Sequence, residues 1–145
     1  MSRAAGGIFG SGCHGIAEYC YSTGNIGLDA GGIFGSESGN DHYTIKGAAV
    51  AINCYSSGLI GNQGGGIYGA RSNVFAINCY SRGNINTGAG GIVGWQSSGT
   101  TINCYSIGDI ELAGGGIFGM DSGIIKIKNC YTSGKLKYSL SLIHI

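Results

Sequence analysis

Cys13, His14 and Cys20 form the closest grouping of metal-ligating side chains along the chain. A zinc site draws close ligand pairs from two converging segments, and the sequence holds no CxxC and no HxxxH, so no metal ligand is assigned. His14, His42 and His144 lie in unrelated local contexts and form no triad with a nucleophile and an acid. The seven acidic residues are scattered, with no pair at repeat-equivalent positions that would serve a glycosidase. Gly10, Gly12 and Gly15 satisfy the form GxGxxG, but a dinucleotide fingerprint needs a strand before it, a helix after it and an acidic residue about 20 positions on. The residues after Gly15, IAEYCYSTG, read instead as strand. No catalytic residue, cofactor or metal is therefore assigned, and the chain is expected not to be an enzyme.

The elements that would position any site repeat themselves. GGIFG or a variant occurs at Gly6, Gly31, Gly65, Gly90 and Gly115, and CYS or CYT at Cys20, Cys54, Cys79, Cys104 and Cys130. The step from Cys20 to Gly31 recurs unchanged from Cys54 to Gly65, from Cys79 to Gly90 and from Cys104 to Gly115. The return step from Gly6 to Cys20 recurs from Gly65 to Cys79 and from Gly90 to Cys104, is one longer between Gly115 and Cys130, and is nine longer between Gly31 and Cys54. A period of about 25 residues is the mark of a stacked array, in which most side chains serve contact with the neighbouring copy. Glycine supplies 31 of 145 residues while proline is absent and 43% of residues are apolar, so the glycines read as positional rather than as a sign of disorder.

In AINCYS and TINCYS the residues alternate, with Ile52, Cys54 and Ser56 on one face and Asn53 and Tyr55 on the other, which is strand periodicity. A second short strand is expected at GGI-x-G and a third at GNI, GLI, GDI or GKL. The expected fold is all-β: a parallel β-solenoid of about five coils of roughly 25 residues, spanning 1–138, with coils beginning near 6, 31, 65, 90 and 115 and rungs about 4.8 Å apart. The ladders Ile8, Ile33, Ile67, Ile92, Ile117 and Cys20, Cys54, Cys79, Cys104, Cys130 are expected inside, and Tyr21, Tyr55, Tyr80, Tyr105, Tyr131 outward or into a corner. Residues one strand spacing apart are within disulfide range at Cα, but their parallel side chains leave the Cβ atoms about 1 Å too far apart. The cysteines are read as buried thiols, with the unrepeated Cys13 the most reactive. The excess in the second copy is assigned to an inserted loop over 36–48, whose Asp41, His42 and Tyr43 are candidate contacts. Residues 139–145, SLSLIHI, depart from the repeat and read as a cap strand or foreign sequence.

A net charge of +1 argues against a nucleic-acid partner attracted by a basic surface. Lys126, Lys128, Lys135 and Lys137 concentrate half of the Lys and Arg near one end, where lysine commonly guards a sheet edge. No apolar run is long enough to span a bilayer, and the start of the chain lacks the apolar stretch of a secretory signal.

The succession GGI-x-G, I-x-N-C-Y-S-x-G-x-I and GGI-x-G from Gly6 to Leu136 resembles the GLUG-type repeat of bacterial surface proteins. That resemblance implies an extracellular or cell-surface location and a passive role, as in filamentous adhesins and the non-catalytic parts of immunoglobulin A-specific metallopeptidases. It transfers no catalytic residue, since HEXXH is absent. The expected function is structural: a stalk, adhesin spacer or fibril subunit, capable of end-to-end or lateral self-association through sheet edges. The alternative is a binding module for surface glycans, using the tyrosine ladder, Trp95 and the asparagines Asn53, Asn78, Asn103 and Asn129 to stack on sugar rings and bond their hydroxyls.

Overall fold

The computed structural model describes residues 4–40 and 48–137. Its strands are β1 (Gly15–Glu18), β2 (Tyr21–Ser22), β3 (Ala49–Ile52), β4 (Tyr55–Ser56), β5 (Asn73–Ile77), β6 (Tyr80–Ser81), β7 (Ser98–Ile102), β8 (Tyr105–Ser106), β9 (Ile125–Lys128) and β10 (Tyr131–Thr132). They form two parallel five-stranded sheets, β1-β3-β5-β7-β9 and β2-β4-β6-β8-β10, in which each strand pairs with its equivalent one repeat away. Parallel bridges join Gly31, Gly65, Gly90 and Gly115, and others join Ile26, Ile60, Ile85, Ile110 and Leu136. The chain is thus an all-β solenoid with no helix among the described residues. The expected count of five coils reduces to about 3 turns. The physical difference lies at the ends: Cys54, Cys79 and Cys104 are buried between neighbouring rungs, whereas Cys20 and Cys130 belong to outer rungs covered on one side and are partly exposed.

Left-handed backbone turns the coil. Asn53, Asn78, Asn103 and Asn129 all have φ of 53–54° between the two strands of their repeat, and Tyr19 takes the same place in the first repeat at 55°. Asparagine tolerates this region better than most residues because its short amide bonds locally. The turn also breaks the strand alternation. Ile52 therefore does not share a face with Cys54 and Ser56, as the alternation suggests: Ala49, Ala51, Cys54 and Ser56 are buried, while Val50 and Ile52 face outward and are half-exposed. In β3 the small alanines face the narrow interior and the larger β-branched Val50 and Ile52 stand outside.

The interior holds two apolar columns. One combines Ile33, Ile67, Ile92 and Ile117 with the cysteines, the alanines and the rings of Phe34 and Tyr68; the other consists of Ile26, Ile60, Ile85, Ile110 and two alanines. Phe9, Phe34 and Tyr68 stack with centroids 4.6 and 5.0 Å apart. Ile8 is 51% exposed, because the rung it belongs to has a neighbour on one side only, so the expected interior ladder excludes it. Where the chain passes between the columns only glycine fits. A Cβ on Gly91 would strike the Gly116 carbonyl oxygen and lie 2.6 Å from the Ser106 Cβ, which explains the second glycine of every GGI.

The excess of the second repeat is narrower than 36–48. Ser36 and Ser38 are buried in coil positions, where the Ser38 amide donates to Ser72 Oγ at 3.2 Å and the Ser38 hydroxyl to the Gly35 carbonyl at 2.8 Å. Asp41, His42 and Tyr43 lie outside the described residues, as does the tail 139–145.

Candidate functional site

The second sheet and the corner before it carry the outward ladders proposed for binding. Because β2, β4, β6, β8 and β10 pair in register, Tyr21, Tyr55, Tyr80, Tyr105 and Tyr131 come to one column. Their rings stack with nearly parallel planes, with centroids 5.2, 4.9, 5.0 and 5.1 Å apart along the column. Both faces of Tyr55, Tyr80 and Tyr105 are therefore occupied by other rings, and the Arg82 guanidinium stands 5.4 Å from the Tyr80 centroid. Only ring edges and hydroxyls meet solvent along the middle of the column. Tyr21 and Tyr131, at its ends, are each 58% exposed.

The asparagine corner is closed in the same way. Asn78 Nδ2 donates to Asn53 Oδ1 at 3.1 Å, Asn103 to Asn78 at 3.1 Å and Asn129 to Asn103 at 3.2 Å. Such ladders stabilise stacked strands, and they occupy the amide groups a sugar would need. The left-handed turn that creates the corner is what aims each side chain at its neighbour.

Trp95 joins a different corner. Its Nε1 donates to Asp121 Oδ2 at 3.4 Å, and its ring lies 5.8 Å below the Arg71 guanidinium. Arg71 also reaches Glu37 at 3.5 Å and Asp29 at 3.8 Å. Glu37, Arg71, Gln96 and Asp121 are the left-handed residues that follow GGI-x-G in successive repeats, with φ of 52–61°. Sequence reading did not bring these residues together. The signal is present, since Arg71, Gln96 and Asp121 are one period apart, but the longer second repeat displaces Glu37 from that spacing. These partly exposed pairs each contribute little, about 0–1 kcal/mol.

Inside, the thiols of Cys54, Cys79 and Cys104 donate to the carbonyls of Ile52, Ile77 and Ile102, each at 3.3 Å. The neighbouring Cys104 and Cys54 thiols, with burial added, hold the Cys79 thiol above the usual cysteine range. Burial likewise pushes the Tyr68 phenol up, its hydroxyl lying 2.8 Å from the Ala49 carbonyl oxygen and 3.0 Å from that of Phe75. All six cysteines are free thiols. Three fast equivalents are expected when the native protein meets an aromatic disulfide reagent, from the partly exposed Cys13, Cys20 and Cys130, and six in denaturant. A native count of six would place the cysteine ladder outside.

Among the described residues no group of three or more His, Cys, Asp and Glu side chains could hold a metal ion. Gly10 and Gly12 lead into β1, which begins at Gly15, and not into the helix a dinucleotide site requires. No helix among the described residues is long and apolar enough to cross a membrane. Comparison with protein-family models, with curated proteins and with solved structures finds no match. Fold and ladders together define the chain as a β-solenoid built from parallel, register-stacked repeats.

Proposed function

We propose that the chain is a structural segment of an extracellular β-solenoid protein, a stalk or spacer with no catalysis of its own. The observation that supports this reading most is the closure of the outward ladders upon themselves. The tyrosine faces stack on tyrosine and the asparagine amides bond asparagine, so the groups suited to recognition instead stiffen the array. The resemblance of GGI-x-G and NCYS to GLUG-type repeats supports the surface location.

The competing reading, a glycan-binding module, needs sugars to stack on tyrosine faces that are already covered. A broad glycan array separates the two. Silence across the array is expected for the wild type. Binding that disappears in a Tyr80→Ala/Tyr105→Ala variant with an unchanged far-ultraviolet circular dichroism spectrum would replace the spacer reading with the binding one.

A further inference from the structure

The outer face of the first sheet is apolar and uncovered by any described residue, and its charges are arranged by sign. Register places ten outward side chains in two columns: Ile16, Val50, Phe75, Thr100, Lys126 and, beside it, Glu18, Ile52, Ile77, Ile102, Lys128. Ile16 is 64% exposed and Phe75 37%, while Val50, Ile52, Ile77 and Ile102 are half-exposed. Glu18 stands at one end of the face and Lys126 and Lys128 at the other, and none of the three makes an ion pair with another described residue.

We propose that this face binds a second copy of the chain, face to face and with the two solenoids antiparallel, about a two-fold axis running along the strands at the level of Phe75 and Ile77. The charge pattern selects this arrangement. Antiparallel packing sets Glu18 of each copy against Lys128 of the other at both ends of the face, with Ile52 against Ile102 and Ile77 against its own copy at the centre. Parallel packing about the solenoid axis would instead set the two lysine ends together, a like-charge contact that costs free energy. Every contact is reciprocal, as a closed two-fold interface requires. Sheets pack face to face about 10 Å apart, which leaves room for one interdigitated layer of Ile, Val and Phe. The face is about 19 Å tall, four rung spacings, and its area falls below the roughly 800 Å² per partner of a standard interface. Association is therefore expected to be weak. The inference stands apart from the spacer reading, since it depends on one face of the fold and on neither location nor ligand.

Sedimentation equilibrium under reducing conditions, with loading up to about 1 mM, tests it. The weight-average mass of the wild type is expected to rise from one chain toward two and to stop there. Ile77→Glu should return the protein to monomer, because it sets two carboxylates against each other on the axis. The variant should fold, since Glu18 and Lys128 already occupy the same column. Glu18→Lys should weaken the dimer at least tenfold, and Glu18→Lys/Lys128→Glu should restore it. End-to-end stacking would also bring Glu18 near Lys128, but it would be indifferent to Ile77 and would grow past two chains. A wild type that stays monomeric throughout, growth beyond the dimer, an Ile77→Glu variant that associates as well as the wild type, or a charge exchange that fails to recover association would each overturn the proposal.

Discussion

Replacing Ile92 with Asp is expected to leave the chain unfolded at room temperature, whereas Ile77→Glu should lower its stability by only about 1 kcal/mol. Ile92 has no exposed surface and sits in the column Ile33, Ile67, Ile92, Ile117, with its backbone bonded to the rungs on both sides. Losing its apolar burial costs about 1.5–3 kcal/mol. Placing a carboxyl group there without a partner adds several more, whether it stays ionised or takes up a proton to become neutral. Against a total margin of about 5–15 kcal/mol, one such substitution removes most or all of the stability. Ile77 belongs to an outward column that tolerates Glu18 and Lys128 at its ends. Urea titration of the two variants reads the difference directly. Equal losses would mean that the left-handed turn at Asn78 does not separate an outer from an inner face as described.

That pair of variants also marks where the sequence could be read and where it could not. The constant spacing of GGI and CYS is enough to expect stacked parallel rungs, the Ile and Cys columns and the tyrosine column, because identical residues one period apart must meet if the repeats stack in register. Alternation across AINCYS is not enough to place Ile52. Period-two reasoning assumes extended backbone throughout, and Asn53 at φ 54° interrupts it. The ends of the array differ for a related reason: Ile8 carries the same local sequence as the fully buried Ile33, AGGIFGS, but burial in a stack requires a neighbour on each side. The tyrosines are legible as outward, yet their availability to a ligand is not. Whether an aromatic column offers faces or edges depends on ring-to-ring geometry, and the 3–7° interplanar angles decide it for edges. The Arg71, Glu37, Asp29 and Trp95 corner is hidden because unlike residues in successive repeats give no visible ladder until the coil aligns them.

Register-stacking is the claim on which the rest depends, and a pair of deletions tests it most directly. Removing 90–114 takes out one whole period, and the new junction joins Ala89 to Gly115, which already pairs with Gly90 across the rungs. The Ile, Cys, Tyr and Asn columns then close up by one member each. Stability should fall by the contribution of one rung and its interface, with the fold retained. Removing only 90–101 leaves a partial turn, so glycines meet side chains where Gly91 now passes Ser106 and the Gly116 carbonyl without room for a Cβ. Thermal unfolding followed by far-ultraviolet circular dichroism should show a cooperative transition at lower temperature for the full-period deletion and none for the shorter one. Cooperative unfolding of both variants at the same temperature would contradict the stacked register and the structural function proposed from it.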